Sequence, residues 1–470
     1  MMKEKILILM PYGMCLRQII LNKHLWKYLS ENFEIDVITP IEIDSAILDP
    51  VNVIDLNKSN TLSLFLKKIS SRSIHYLRAS KMMDFYLDNN IGENLALRWM
   101  WFKDYINLII ILSGVAKLKY IGTSLKKLLL FFSYLYPKSF LKKRNYKAVI
   151  LTHASDIDCT LFGIAANRLD IPLITITLGL DNYRHGPLIY KPDLMLLWGN
   201  EQEKEFNEYH LPFDENLTKT EYRKIGSLIH DTYLEVKQSD KTDYLAKKFS
   251  LNSGDKYILV ATMTEFNLPN QTALCDLIIE FLEERKLDHK LIIRKLPMVD
   301  NDLWNSYERL NKDRVYIQEP ESASYDKRSS NLGFDRNSSM EDIGEFVQTI
   351  SGADLIVGHY PSTLLVDVKL FNKPCCVPMF DWKKNLQGGH PQEKFYLSKI
   401  LSHYHNKAYG LLYSKLDFYN YLDNVLLKEE INDESQILFD EITGPSYKGD
   451  SGKLAIEAIE ACIGELSSTK

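Results

Sequence analysis

Nowhere does this chain of 470 residues offer a run of about 20 uncharged apolar residues, so no membrane-spanning helix is expected. Its six cysteines (15, 159, 275, 375, 376 and 462) form no Cys-x-x-Cys pair and no zinc-like spacing with histidine. That argues against the common zinc and dithiol chemistries and fits a reducing cytoplasm. Adjacent Cys375 and Cys376 fall in an expected strand, where they point to opposite faces as packing residues. A Gly-x-Gly-x-x-Gly is missing too, which removes the usual dinucleotide fingerprint. A net charge of −5 gives no global case for nucleic acid as a partner. The opening Met1-Met-Lys-Glu-Lys-Ile-Leu-Ile-Leu-Met10 is too short in its apolar run for a signal peptide and holds an acid.

One absence is local. From Tyr105 to Ser155 there is no Asp or Glu, while nine Lys and Arg residues from Lys117 to Lys147 follow Leu108-Ile-Ile-Ile-Leu112 and flank Leu128-Leu-Leu-Phe-Phe132. Basic residues beside apolar ones suit a helix lying on an anionic membrane surface. The same pattern also suits two domain helices with lysines outward and apolar faces inward.

What is present is the composition of a soluble globular protein, 45% hydrophobic and 25% charged. At this length more than one core is expected. Apolar strands alternate with amphipathic stretches in two runs, which implies α/β architecture with parallel sheets covered on both faces. The first run has strands at Lys5–Met10, Ile35–Thr39, Ala148–Thr152, Leu173–Thr177, Leu194–Trp198 and Arg223–Ile225, with a mainly helical, basic insertion over about 45–147. Residues 236–256 are polar and turn-rich and read as a linker between a first domain (1–235) and a second (257–450). The second run has strands at Tyr257–Ala261, Lys290–Arg294 and Arg314–Ile317. Residues 451–470 read as a closing helix, free to pack back on the first domain.

The most telling segment is Ala353-Asp-Leu-Ile-Val-Gly-His-Tyr-Pro-Ser-Thr-Leu-Leu-Val-Asp367, which runs on to Phe371-Asn-Lys-Pro-Cys-Cys-Val-Pro378. It reads as a buried strand, a polar turn, a helix opening at Ser362-Thr363 and a second strand. Free N–H groups, the positive end of the helix dipole and two hydroxyls would then converge on one anion.

Other candidates follow strands, where active-site loops of parallel sheets lie. His153-Ala-Ser-Asp156 is one, with Asp158 read as the cap of the next helix. Gly179-Leu-Asp-Asn-Tyr-Arg-His185 is another, rich in donors and acceptors at Asp181, Asn182, Arg184 and His185. Ser339 with Asp342 reads as a structural helix start.

The 353–378 segment resembles the donor-phosphate element of GT-B glycosyltransferases. The run Pro192-Asp-Leu-Met-Leu-Leu-Trp-Gly199, with Lys224-Ile-Gly-Ser-Leu-Ile-His-Asp231, resembles the first-domain ending of bacterial surface-polysaccharide glycosyltransferases. Non-hydrolysing UDP-N-acetylglucosamine 2-epimerases share that scaffold. The resemblance implies two doubly wound Rossmann-like domains facing across a cleft. It implies a nucleotide sugar as donor substrate and no other cofactor, with Ser362 and Thr363 on the diphosphate and Asp367 on the ribose, where glutamate is usual. Thr264 and Glu265 (after the first strand of the second domain), Arg294, Lys295 and His390 are further donor-side candidates. Leu296-Pro297 stands where several capsule, polyol-phosphate and sialic-acid transferase families have His-Pro, which counts against a CMP-sugar. On the acceptor side the resemblance implies Asn182, Arg184 and His185 as binding residues, with Asp181, Asp156 or His153 as the base.

No metal-ligand cluster is visible in the sequence. The expected activity is sugar transfer to a hydroxyl of a surface glycan or lipid-linked acceptor, by an enzyme in the cytoplasm or on the inner membrane face. Alternatives on the scaffold are a 2-epimerase-like or polyol-phosphate transferase activity. From another class, the chain could be a non-catalytic membrane-surface binding protein.

Overall fold

In the computed structural model of the protein, the residues described are 3–11, 15, 18–39, 51–54, 131, 135, 137–154, 156–177, 179, 188–211, 214–239, 244–251, 254–262, 271–295, 302–311, 313–319, 340–359, 363–380, 410–428, 442–444 and 448–468. The chain divides into two compact units, Met1–Ile229 with Gly444–Lys470, and His230–Thr443.

The elements run in chain order as β1 (Glu4–Leu9), α1 (Lys23–Asn32), β2 (Phe33–Ile38), β3 (Asn52–Ile54), β4 (Ala148–Leu151), α2 (Ile157–Arg168), β5 (Leu173–Ile176), β6 (Leu194–Leu197), α3 (Asn200–Tyr209) and β7 (Glu221–Lys224). Then come α4 (Leu228–Ser239), α5 (Tyr244–Phe249), β8 (Tyr257–Ala261), α6 (Thr272–Glu284), β9 (Lys290–Arg294), α7 (Asp302–Leu310), β10 (Val315–Gln318), α8 (Met340–Gly352), β11 (Leu355–Gly358), α9 (Leu364–Leu370), β12 (Cys375–Pro378), β13 (Leu411–Leu412), α10 (Lys415–Leu427) and α11 (Ser451–Ser468). Where a linker is expected over 236–256, the chain is helical to Ser239 and again over Tyr244–Phe249, and the division between units falls at Ile229/His230. Of the described residues on these two helices, Lys237 and Lys248 are exposed, and turn-rich composition alone does not distinguish such short solvated helices from a linker.

Both sheets are parallel. The first has the order β3-β2-β1-β4-β5-β6-β7 and the second β10-β9-β8-β11-β12-β13. Each therefore reverses direction of travel at one place, between β1 and β4 and between β8 and β11, and a doubly wound sheet binds ligands beyond the carboxyl ends of its strands there.

The cores follow the alternation of side chains along buried strands. In the first sheet Ile6, Ile8, Ile35, Val37, Ile150, Ile174 and Leu196 pack with Leu25 and Leu29 of α1 and with Ala455, Ile459 and Cys462 of α11. The intervening Leu7, Leu9, Val149, Leu151 and Leu197 pack on the opposite face with Phe162 of α2 and Phe206 of α3. α2 is buried at every position from Cys159 to Ala166, so it has no solvent stripe. In the second sheet Ile258, Val260, Ile293, Val357 and Cys376 share a core with Phe281, Trp304 and Phe418. All six cysteines are buried and none is in a disulfide.

Two polar devices sit inside the first unit. Asn22 caps α1, its Oδ1 accepting from Leu25 N at 3.1 Å, while its Nδ2 donates to Leu228 O at 3.0 Å. Gly452, at the start of α11, has no room for a Cβ because Asn22 Oδ1 already occupies that space. The second device is a buried carboxylate. Asp36 of β2 is 0% exposed and accepts from Tyr146 Oη and from Asn52 Nδ2 at 2.9 Å, with Lys5 Nζ at 3.2 Å and Arg144 Nε at 3.5 Å. Burial first, and then the bond to Asp36, pushes the Tyr146 hydroxyl far above its ordinary pKa.

Among the described residues no helix is long and apolar enough to cross a membrane. Most of the basic stretch at 105–155 lies outside them.

Candidate functional site

The second sheet's reversal point is built around a histidine. His359 directly follows β11 and is 0% exposed. Its backbone N donates to Ala261 O, the last carbonyl of β8, at 3.0 Å. Its ring lies with Nδ1 3.0 Å from the same carbonyl and Nε2 2.9 Å from Gln271 O, at the start of α6. Two carbonyls face a ring that carries only one proton when neutral. Burial lowers the His359 pKa, and the two carbonyls oppose that shift. Trp304, wholly buried, packs edge-on against the imidazole at 6.3 Å. The ends of β8 and β11 and the start of α6 are thereby held together beside the place where a ligand would lie.

α9 leaves this point. It spans Leu364–Leu370, and Thr363 precedes it with helical dihedrals (φ −56°, ψ −22°) and no side-chain capping bond. Thr363 instead supplies its carbonyl, which accepts from Val366 N at 3.0 Å and Asp367 N at 3.1 Å. The expected opening at Ser362-Thr363 is thus displaced to Leu364, and the Thr363 hydroxyl is left out of the cap. Asp367 lies in the first turn of α9, and its Oδ1 is 2.9 Å from His230 Nε2. The His230 side chain is 0% exposed and that of Asp367 is 14% exposed. His230 is the third residue of α4, whose Tyr233 continues the packing against Phe346 of α8 and against Phe371.

The two cations after β9 part company. The Arg294 guanidinium stacks over the Phe346 ring at 5.1 Å. Lys295, 6% exposed, puts Nζ 2.6 Å from Glu319 Oε1. Its charge is answered by that acid, which weighs against the phosphate role expected for it.

In the first unit, Thr152 follows β4 and donates from Oγ1 to Leu9 O at 2.6 Å, joining the ends of β1 and β4. His153 and Ala154 come next, with Ala154 O accepting from Tyr190 Oη at 2.9 Å. The Tyr190 ring lies on Gly163 of α2, where a Cβ would come within 2.7 Å of it. Asp156 is the helix cap, accepting at Oδ1 from Cys159 N at 2.9 Å with extended dihedrals. This corrects one expectation, since the N-cap is Asp156 and not Asp158; the carboxylate also expected as a candidate base has its Oδ1 engaged at the start of the helix. An Asp156→Ala variant should lose about 1 kcal/mol of stability in urea denaturation. Asn, which caps equally well, should preserve both stability and turnover. Inactive but stable Asp156→Asn would return Asp156 to the chemistry.

Asp181, Asn182, Arg184 and His185, which follow β5 in the sequence, lie outside the described residues, as do Ser362, Thr264, Glu265 and His390. The described residues on either side of that stretch are tied down. Gln202 of α3 donates from Nε2 to Gly179 O at 3.0 Å and accepts at Oε1 from Trp198 N at 2.7 Å. Trp198 Nε1 donates to Thr177 O at 3.1 Å, and Leu188 N donates to His210 Nδ1 at 3.3 Å.

No family model matches the chain, and no curated protein does. Solved structures match along nearly its whole length. A protein of Listeria monocytogenes assigned as a UDP-N-acetylglucosamine 2-epimerase is 13% identical, with 98% of this chain and 97% of that one covered at a TM-score of 0.54. The UDP-GlcNAc 2-epimerase of Neisseria meningitidis, solved with UDP-GlcNAc bound, is 9% identical over 97% of this chain and 100% of that one, with a TM-score of 0.52. A glycosyltransferase from Rickettsia africae is 10% identical over 100% of both chains, with a TM-score of 0.51.

The fold is GT-B.

Within this GT-B chain the described donor-side residues do not all converge. Thr363 and Asp367 share the start of α9, while Arg294 is turned onto an aromatic ring and Lys295 onto an acid. His230 and His359 are the residues that sequence reasoning missed. His359 stands inside the segment singled out as most informative, immediately after the strand. His230 stands in the quoted Lys224–Asp231 run, but nothing local ties it to an acid 137 residues away. Among the described residues no group of three or more His, Cys, Asp or Glu could hold a metal ion.

Proposed function

We propose that the protein is a nucleotide-sugar enzyme whose second unit holds the nucleotide beyond the β8 and β11 carboxyl ends. Its reaction would be transfer of the sugar to an acceptor hydroxyl. The observation that carries this reading is the pair Thr363 and Asp367 at the start of α9, at the reversal point of a doubly wound sheet. A hydroxyl with no capping duty and a carboxylate one turn on suit a diphosphate and a sugar diol respectively. In the transfer, the acceptor oxygen forms a bond to the anomeric carbon as the bond to the diphosphate breaks. The nucleoside diphosphate departs with the electron pair, stabilised by Thr363, Ser362 and free N–H groups, and a base takes the acceptor proton. With Asp156 engaged as a cap, Asp181 is the proposed base. The acceptor class we favour is a surface glycan or lipid-linked hydroxyl, on the strength of the basic 105–155 stretch and the sequence resemblance.

A second reading, epimerisation at C2 of a UDP-sugar, is favoured by the epimerases among the structural neighbours. Thermal-shift screening against UDP-, CDP-, CMP-, GDP- and dTDP-sugars should show one nucleotide raising the melting temperature by roughly 5–10 °C at saturation. Thr363→Ala combined with Asp367→Ala should abolish most of that rise. Product analysis then separates the reactions, because a C2 epimer made without any acceptor indicates epimerisation and an acceptor-dependent product indicates transfer. No stabilisation by any of these compounds would leave a non-catalytic binding protein as the better reading.

A further inference from the structure

We propose that His230 is a specificity-determining residue. It fixes Asp367 so that one carboxylate oxygen recognises a ribose hydroxyl of the bound nucleotide. The inference rests on the nucleotide reading above and deepens it.

A carboxylate can only accept, so the 2.9 Å contact requires the proton of His230 to be on Nε2, donating to Asp367 Oδ1. The imidazole is wholly buried, and a buried polar ring is retained at a cost unless its bonds are made. The pair also joins two helix beginnings, since His230 is the third residue of α4 and Asp367 lies in the first turn of α9.

With Oδ1 occupied from the buried side, the carboxylate has little freedom to rotate. Among the described residues Oδ2 has no partner, and the side chain keeps 14% of its surface open. Aspartate is one methylene shorter than glutamate and by itself reaches less far toward a ligand. A buried donor behind it compensates by holding it in a single outward orientation, the pre-organisation that converts a flexible acid into a selective one. A ribose diol offers O–H donors to such an oxygen, and a deoxyribose lacks one of them.

The test compares UDP with 2′-deoxy-UDP and 3′-deoxy-UDP by calorimetric titration of the full chain. Wild-type protein should prefer UDP over at least one deoxy form by roughly 10-fold or more, as for a hydrogen bond to a charged group. His230→Leu keeps an apolar side chain in the buried space and removes the donor. It should bring that ratio to within about 2-fold of unity while leaving affinity for the deoxy form within about 2-fold of wild type. His230→Gln, whose amide can donate to the same oxygen, should recover most of the ratio. A merely structural histidine predicts something else, namely equal loss for all three nucleotides or an unchanged ratio, and either result overturns the proposal. If His230→Leu does not fold, Asp367→Ala decides, since a ratio that survives there overturns it as well. UDP binding without any ribose preference in the wild type defeats this inference alone. Failure of wild-type protein to bind UDP defeats the inference, and failure to bind any nucleotide in the wider screen defeats the nucleotide reading with it.

Discussion

Replacing Trp304 by alanine should lower the free energy of unfolding by about 3–5 kcal/mol, read from the midpoint and slope of a denaturant titration. The indole is 0% exposed and stands in the core that Phe281, Phe418 and the second sheet share. It meets Tyr307 edge-on at 6.1 Å and His359 edge-on at 6.3 Å. The cavity would therefore open against the imidazole that faces the Ala261 and Gln271 carbonyls. Loosening that ring should weaken whatever binds at the reversal point, so nucleotide-induced stabilisation should shrink along with stability. Trp304→Phe fills most of the space and should cost less than half as much. A loss below about 1.5 kcal/mol for the alanine variant would mean the core collapses onto the vacancy, and the coupling to His359 would fall with it.

The second large effect is expected at Asp36. Asp36→Ala should destabilise the protein by about 3 kcal/mol, because it removes a buried carboxylate and strands the buried Tyr146 hydroxyl without an acceptor. The Tyr146 hydroxyl loses its acceptor while 5% exposed, whereas Asn52 is exposed and its Nδ2 can turn to water. Lys5 and Arg144 are less affected, with side chains 21% and 36% exposed and able to turn outward. Tyr146→Phe removes the hydroxyl together with its need for a partner. Combined with Asp36→Ala it should therefore cost clearly less than the sum of the two single changes. Strict additivity in the double-mutant cycle would show that the two groups do not depend on each other.

The strands were legible because buried parallel strands are short, apolar and β-branched. Tyr257–Ala261 and Lys290–Arg294 stand in the structure with the boundaries that their composition suggests. β3 was not legible, being three residues with an exposed Asn52 and Val53, held to β2 through pairing with Asp36 to Ile38. α7 was missed because its buried residues are a tryptophan and a tyrosine among polar neighbours, and its last residue, Leu310, is 84% exposed. Asp156 and Asp158 are equally good caps on paper, and only the extended backbone of Asp156 decides between them. Helix α9 could be seen coming from Pro361-Ser-Thr363, whereas the His230–Asp367 pair is a product of tertiary folding and leaves no periodic trace.

α11 has a consequence for how this chain is made. Ala455, Ile459 and Cys462 belong to the core of the first sheet, whose last strand, β7, ends at Lys224. At ribosomal speeds of about 5–20 residues per second, the helix that completes that core follows the last strand by on the order of 10 to 50 s. Throughout that interval Ile6, Ile8, Ile150 and Ile174 lack their α11 partners, while the second unit, His230–Thr443, is synthesised and by its end can fold. The portion synthesised first is thus finished last. Chains released early would carry a complete second unit beside a first one with an open apolar face, the kind of species that chaperones bind and proteases remove.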